Sequence, residues 1–478
     1  MSTTAGAPGN TCPAATSALG RQKHIGILIS IILFAGLWLM PTPAGLPVDG
    51  QRALAVTMFA VLWWIFGVMA PAYTTLLLCF GYIALQLATP ATVFALWTSP
   101  LMWLMIGAFL IATAVSKSGL ATRVAYCCMT RYARSYTSMV TLVYVLGFVL
   151  SFLIPHAFPR TLLMMAVVTA IIDGSDMEPA DATALGFATF ASATATSMIL
   201  MTGDSLLNTA SLSFAGVPVS WLGWAGYMAV PGLFASVLMW GLQLLVFPPR
   251  HRLQINLQAL QAARAQPGSL SAAEKRTLAW IVLALLLWAT EALHHLAPAW
   301  VAIGVAVGLA LPVIGDVLHP SDFTNGINWP VLMFVAGALA IGTVGKETGM
   351  AQWLAQAMLP AVPPTNPYVF ALLIGGATIG MHMLLGSALA VMSIVAPPVV
   401  AYATAAGWSG IFPALLVYTA VQIHYVLPFQ HVTILLGAGQ VGRYGSTETL
   451  KYGLPLTALT MLVLLLEVAW WQVIGLID

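Results

Sequence analysis

The sequence predicts an all-α polytopic membrane protein of two inverted-topology repeats, each with a re-entrant helical hairpin and a broken transmembrane helix, and about 11 transmembrane spans in all. Three observations predict it. Of 478 residues, 60% are hydrophobic and only 6% are charged, whereas a soluble domain carries about 25% charged residues. Apolar runs of about 20 residues, enough to cross a bilayer, recur along the chain. Third, Met105-Ile-Gly-Ala-Phe-Leu-Ile-Ala-Thr-Ala-Val-Ser-Lys-Ser-Gly-Leu120 is similar to Val335-Ala-Gly-Ala-Leu-Ala-Ile-Gly-Thr-Val-Gly-Lys-Glu-Thr-Gly-Met350. Each copy is a span that ends in Lys, one or two polar residues and Gly, followed by an amphipathic segment. The offset is about 230 residues, and the two copies run in opposite senses through the membrane, a pattern of many secondary transporters. Resemblance by chance between small-residue-rich helices is the competing account.

Residues 1–23 are rich in Ser, Thr, Ala, Pro and Gly and are expected to be a disordered cytoplasmic N-terminus. Arg21 and Lys23 precede a first span at 24–48, too long and too Trp-rich for the core of a signal peptide. The first repeat occupies 49–247, with spans at 53–69, 72–89 and 99–117, a hairpin at 137–172, a broken helix at 183–215 and a span at 220–247. A polar linker at 248–278, with Arg250, Arg252, Gln254, Arg264, Lys275 and Arg276, reads as a solvated cytoplasmic connector lying on the surface. The second repeat occupies 279–478, with spans at 279–296, 298–314 and 328–345, a hairpin at 367–404, a broken helix at 409–440 and a last span at 452–476.

The charges orient this layout. With the N-terminus cytoplasmic, 13 of the 16 basic residues fall inside, Arg52 and Lys346 fall outside, and Arg160 lies within the membrane. The C-terminal Asp478 is then outside. The four cysteines, Cys12, Cys79, Cys127 and Cys128, are scattered and form no disulfide framework. Trp63, Trp64, Trp470 and Trp471 sit near span ends, as an aromatic belt requires.

The stretch Leu150-Ser-Phe-Leu-Ile-Pro-His-Ala-Phe-Pro-Arg-Thr-Leu-Leu162 holds the strongest functional signal. A lone arginine at membrane depth costs about 2.5–3.5 kcal/mol on insertion scales. Non-helical backbone at that depth is tolerated only in protein or beside a watery cavity. The chain is therefore expected to turn at Pro155–Arg160, presenting Arg160 to a bound anion through bidentate pairing. An internal salt bridge from Arg160 to Asp204 is the competing reading. His156 is either a donor to the same anion or a packed histidine of the turn.

Both broken helices are punctuated. Ala191-Ser-Ala-Thr-Ala-Thr-Ser197 leads to Met201-Thr-Gly-Asp-Ser205 and Asn208, and His424-Tyr-Val-Leu-Pro-Phe-Gln-His-Val-Thr433 interrupts the second. Asp204, Ser192, Thr196 and Asn208 are the expected ligands of a coupling cation, Na⁺ or H⁺; Asp204 also fits a helix cap, and the small polar residues fit helix packing. Thr202, Ser387, Gln430 and His431 are expected to complete the substrate site with Arg160 and His156. Glu291, His294 and His295 lie near a span end, where snorkelling explains them, and Glu467 has no evident partner.

The chain resembles the divalent anion/sodium symporters, which include di- and tricarboxylate and sulfate transporters. The likeness runs from about residue 50 to 476 and is carried by Ser99-Pro-Leu-Met-Trp-Leu-Met-Ile-Gly-Ala-Phe109 with Lys117-Ser-Gly-Leu-Ala-Thr-Arg123, by Ile327-Asn-Trp-Pro-Val-Leu-Met-Phe334 with Lys346-Glu-Thr-Gly349, by Trp288 with His294-His295, and by Leu436-Gly-Ala-Gly439. The resemblance implies homodimers and a transport domain that slides against a static scaffold. Where that family often carries a Ser-Asn-Thr triplet at each hairpin tip, this chain has Pro155-His156-Ala157 and Ser387-Ala388-Leu389, so only Ser387 matches. Pro155 and Arg160 instead match a subgroup with a proline and a downstream arginine.

The function expected is secondary active transport of a small organic dianion, di- or tricarboxylate-like, by elevator-type alternating access in an inner (plasma) membrane. The coupling ion is Na⁺ or H⁺, with no other cofactor, no metal centre, no catalytic residues and no nucleic-acid partner. Sodium-independent anion exchange and sulfate or sulfonate transport are the alternatives. A membrane enzyme would need a cluster such as His-Glu-x-x-His, and the chain has none. A passive channel fits poorly with two dissimilar hairpin tips and one buried cation.

Overall fold

The structure, a computed structural model, describes residues 13–132, 134–249 and 269–477. The readings of residues 1–12 and of the linker residues Arg250, Arg252, Gln254 and Arg264 lie outside the described residues. Helix α1 (Pro13–Leu39) begins inside the segment expected to be disordered and packs along α2 (Val48–Ile65). Then come α3 (Pro71–Ala84), the short α4 (Pro90–Val93) and α5 (Ala95–Thr98), α6 (Pro100–Ser118) and the amphipathic α7 (Leu120–Tyr132). The first hairpin is α8 (Tyr136–Leu153) and α9 (Ala157–Asp173). The first broken helix is α10 (Pro179–Thr196) and α11 (Ser205–Ala215), and α12 (Trp221–Val246) closes the half.

The second half repeats the order. It has α13 (Ala272–Ala289), the short α14 (Glu291–His294), α15 (Pro298–Ala310), the short α16 (Pro320–Asn325), α17 (Trp329–Glu347) and α18 (Met350–Met358). Its hairpin is α19 (Pro367–Leu385) and α20 (Ala388–Ala405). Its broken helix is α21 (Ile411–Gln422), a 3₁₀ turn at Pro428–Gln430 and α22 (Val432–Gly437), and α23 (Ser446–Val473) ends it. Among the described residues, seven helices are long and apolar enough to cross a membrane by length and composition. Proline opens α3, α6, α15, α17 and α19, where its missing N–H has no helical partner to lose.

The two halves match in detail. Gly119 ends α6 at φ 78° and Gly349 follows α17 at φ 76°, the same left-handed corner at the same offset. Thr113 of α6 donates its hydroxyl to the Gly326 carbonyl at 3.3 Å, and Thr343 of α17 donates to the Thr92 carbonyl at 3.1 Å. Packing is exchanged between halves: α6 lies on α15 while α17 lies on α3. Each crossing is made at a glycine of the repeated motif, Gly107 against Ala302 and Gly337 against Thr75, where a Cβ would collide. Reciprocal exchange of this kind is what a two-fold relation between halves produces.

The broken helices form the centre of the molecule. Residues 184–210 and 410–426 are buried without interruption. Hairpin α8–α9 packs on α10, hairpin α19–α20 packs on α21, and α12 packs on α23. Glu467 of α23 is fully buried there and accepts a 2.6 Å hydrogen bond from the Thr419 hydroxyl of α21.

The ion pairs respect the expected sidedness. Lys117–Asp322 (2.6 Å), Arg123–Glu274 (2.5 Å), Arg276–Asp316 (3.4 Å) and Arg443–Asp173 (2.6 Å) each join segments that the charge layout places on one side. Glu274 also closes a capping box at the start of α13 with Ser271. The hydrogen bond from Arg123 holds the Glu274 carboxyl below the usual carboxylate range. A carboxyl depressed in the folded state adds stability above its unfolded pKa of about 4.3 and loses it as the pH falls toward its lower folded value. Glu274→Gln is therefore expected to lower the thermal unfolding midpoint at neutral pH and to flatten the acid limb below about pH 5. Melting curves in detergent across pH check this, and a variant with the wild-type acid limb would contradict it.

Candidate functional site

The first hairpin turns at residues 154–156, not across Pro155–Arg160 as the sequence suggested. Helix α9 already starts at Ala157, because Pro159 falls in its first turn, where a missing N–H costs nothing. His156 is the N-cap, and its Nδ1 accepts from the Phe158 amide at 3.2 Å. The Phe109 ring of α6 lies against it, with centroids 5.1 Å apart. That bond fixes the neutral imidazole with its proton on Nε2, so the free ring nitrogen is a donor.

Arg160 is fully buried one turn into α9. One terminal nitrogen donates to the Gly203 carbonyl at 2.9 Å and to the Ile154 carbonyl at 3.5 Å, and the other donates to Ser197 Oγ at 2.6 Å. Its Nε has no hydrogen-bond partner among the described residues. No ion pair with Asp204 forms, so the expected competing salt bridge is absent among the described residues. Asp204 instead caps α11, its Oδ1 accepting from the Leu206 amide at 3.2 Å. Ser205 binds the hairpin tip to the break, with its hydroxyl on the Pro155 carbonyl at 2.6 Å.

The break spans 197–204, and Asn208 closes it. Its Nδ2 donates to the carbonyls of Ser197, Leu200 and Met201 at 3.0, 2.9 and 3.2 Å, and its Oδ1 accepts from the Tyr418 hydroxyl at 2.6 Å. The amide nitrogen is thus spent on backbone repair, and its oxygen is bonded to Tyr418. Ser192 and Thr196 donate to carbonyls of their own helix and face Gly147 of α8, where a Cβ would come within 3.0 Å of Thr196 Oγ1. Close packing accounts for both. Thr202 is buried and accepts from the Trp221 indole at 3.4 Å. Trp221 in turn is held by Glu291, whose Oε2 takes its backbone N–H at 3.1 Å, so Glu291 anchors the start of α12.

The second half builds a related but uncharged centre. Gly386, at φ 66°, turns the hairpin, and Ser387 caps α20 by accepting from the Ala390 amide at 3.4 Å. Gln430 mirrors Asn208. Its Oε1 accepts from the Val426 and Leu427 amides at 2.6 and 2.8 Å, and its Nε2 reaches the His382 carbonyl at 3.4 Å. His431 caps α22 through Nδ1, accepting from the Thr433 amide at 3.3 Å, so its Nε2 proton is a buried donor without an acceptor.

The two centres adjoin: α11 packs on α20 and α21, and α22 packs on α9 and α10. Gln422 of α21 donates to the Thr194 carbonyl at 3.0 Å. Three helices of eleven or more residues, α9, α11 and α20, begin at the tips and the first break, and helix N-termini carry partial positive charge. Ser197, which the sequence offers as a ligand of sodium or substrate, is bonded to Arg160, and Tyr418 takes part without having been assigned a role from the sequence. Among the described residues, no group of three or more His, Cys, Asp or Glu side chains is arranged to hold a metal.

Hairpin tips and broken helices meeting around a buried cation, in an all-helical membrane-spanning chain, define a membrane transporter. The chain belongs to the family described as the sodium:sulfate symporter transmembrane region, which matches residues 21–477. A protein from Cupriavidus necator described only as a membrane protein is 23% identical over 480 residues, 95% of this chain and 93% of that one. The sodium-dependent dicarboxylate transporter SdcS of Staphylococcus aureus is 24% identical over 369 residues, covering 70% of this chain and 69% of its own. The crystal structure of the Alcanivorax borkumensis YdaH transporter aligns with 97% of the chain and 99% of its own at TM-score 0.46 and 16% identity.

Asn208→Ala strips three buried carbonyls of a donor and is expected to cost about 1–3 kcal/mol of stability. Tyr418→Phe, which removes only the hydroxyl on Oδ1, is expected to cost about 1 kcal/mol. Thermal unfolding of the purified variants measures both. An Asn208→Ala protein as stable as wild type would return that amide to the list of ion ligands.

Proposed function

We propose that this chain is a secondary active transporter that carries a small organic dianion, di- or tricarboxylate-like, across the plasma membrane in company with Na⁺. The observation that carries the proposal is Arg160, wholly buried, tied only to neutral groups, with Nε unpartnered. The Asp204 carboxylate favours the guanidinium from beyond ion-pair distance, and the open Nε leaves a donor for an anion. Membership of the sodium:sulfate symporter family and the likeness to a sodium-dependent dicarboxylate transporter support the substrate class and the cation. His156 Nε2, Ser387 and His431 Nε2 are the further donors assigned to the substrate. Asp204 is the residue assigned to the cation, beside the unwound carbonyls of 197–204.

In this reading the two hairpins, the broken helices, α12 and α23 move as one body against α2, α3, α6, α13, α15 and α17. The repeats are 49–247 and 279–478, and the protein works as a homodimer, as the family resemblance implies. The N-terminus is cytoplasmic. Cys127, exposed on α7, then faces the cytoplasm. In a variant retaining only that cysteine, a membrane-impermeant maleimide is expected to label inside-out vesicles and to spare intact cells. The reverse pattern turns the topology over.

Uptake of radiolabelled succinate, citrate and sulfate into proteoliposomes under a sodium gradient tests the function. Arg160→Ala is expected to lower saturable uptake about 100-fold or more, and Arg160→Lys to recover little of it, since an ammonium cannot bind two oxygens in one plane. Asp204→Asn is expected to change the sodium dependence more than the substrate KM. Normal transport by folded Arg160→Ala protein removes the anion site, and sulfate uptake to the exclusion of dicarboxylates changes the substrate class.

A further inference from the structure

The second break collects buried polar atoms that have no hydrogen-bond partner among the described residues. Among the described residues, His382 Nδ1, His424 Nδ1, His431 Nε2 and Thr433 Oγ1 lack a hydrogen-bond partner, and all three imidazoles are at most 1% exposed. Buried polar groups are almost always paired, so a cluster of orphans points to something that binds there.

Hydrogen-bond partners fix the tautomers of two of the rings. His382 Nε2 lies 2.9 Å from the Gln430 carbonyl, which can only accept, so Nε2 carries the proton. His424 Nε2 lies 3.1 Å from Thr457 Oγ1, whose own hydrogen goes to the Gly453 carbonyl, so this Nε2 is also the donor. Each ring therefore keeps a bare lone pair on Nδ1. The two rings are neighbours, with centroids 5.6 Å apart. They are held on separate elements, His382 on the first arm of the second hairpin and His424 in the break.

We propose that His382 and His424 together bind one proton, and that this proton travels with the dianion as a second coupling ion. The inference rests on the transporter reading above. A first proton on either Nδ1 leaves the neighbouring ring neutral, and a second is opposed by the charge of the first. The titratable groups facing the pair are His431 and Tyr425 from the break, with Tyr452 behind Tyr425 on α23 at 6.2 Å. On α23, Lys451 is exposed, and Glu467 lies ten residues beyond Thr457, roughly 15 Å along the helix. No carboxylate forms an ion pair with either ring among the described residues, so the negative charge that would hold a proton there is that of the arriving substrate. Proton and dianion then strengthen each other's binding reciprocally.

Proteoliposomes of the full-length protein, with sodium equal on both sides and succinate as the probe, give the test. An inward gradient from about pH 8.5 inside to about pH 6.5 outside, where succinate stays largely dianionic, is expected to speed wild-type uptake several-fold. His382→Gln and His424→Gln are each expected to abolish that acceleration while sodium-driven uptake without a pH gradient stays within about twofold of wild type. Wild-type uptake indifferent to the pH gradient, or variants that respond as wild type does, overturn the proposal. Should neither variant be recovered folded, an indicator dye in weakly buffered wild-type protein decides. About one proton taken up per chain on adding saturating succinate supports the pair, and none overturns it. Wild-type protein that takes up no dianion even under a sodium gradient instead defeats the transporter reading, a separate result.

Discussion

A guanidinium buried among carbonyls is the constraint on which the first half of this protein depends. Arg160 joins the hairpin carbonyl of Ile154 to Gly203 and Ser197 of the break. Ser205 adds a second tie, from the break to the Pro155 carbonyl. Both unwound segments leave carbonyls that would otherwise be unsatisfied in a place without water, at a cost of several kcal/mol each. The arginine satisfies them with its own donors, and in doing so holds tip and break as one piece. Asp204 is near enough to favour its charge but forms no ion pair with it. The structural duty and the proposed binding of an anion therefore fall on the same side chain, and neither reading excludes the other.

Two amides repeat this logic without charge. Asn208 and Gln430 each sit beside a break and bond its backbone, Asn208 as a donor through Nδ2 and Gln430 as an acceptor through Oε1. The Tyr418 hydroxyl then links Asn208 to the opposite broken helix, and Gln422 reaches the Thr194 carbonyl from the same helix. The two breaks are thus stitched to each other as well as closed. A unit bonded in this way is suited to moving as a body, with the small-residue crossings at Gly107 and Gly337 lying on helices outside it.

The legible part of the fold was whatever composition and punctuation report. Span lengths, the two hairpins, the paired Lys-to-Gly corners and the isolated Arg160 all follow from apolar runs and from residues that membranes tolerate only for cause. The limits of the turn were read too widely, because Pro159 and Arg160 look like breakers in a string of letters yet lie in the first turn of a helix. Short helices such as α4, α5 and α14 are too brief for any period to show. Asn208, Ser192 and Thr196 were read as ion ligands from their oxygens; what the sequence could not show is that the Asn208 oxygen is bonded to Tyr418, 210 residues away. His382 carried a signal that was passed over, an ionisable residue in an apolar span, and its meaning appears only beside His424 and Gln430.

Charge balance gives the arrangement its direction. At the two breaks the fixed charges are Arg160 and Asp204, which formally cancel. In the proposed transport cycle a bound dianion would leave the moving body with two negative charges, and carrying each one inward against a potential of about 100 mV costs about 2.3 kcal/mol. Unaided inward movement is therefore opposed by close to 5 kcal/mol, a factor of about a thousand or more in equilibrium accumulation. Two monovalent cations make the loaded body neutral, and a third makes the membrane potential an aid. The first break, with Asp204 and its unwound carbonyls, has room in its chemistry for a hard cation such as Na⁺, whereas the second offers imidazole nitrogens and no carboxylate. The asymmetry between two otherwise matched halves fits a division of labour, with one break suited to a metal cation and the other to a proton.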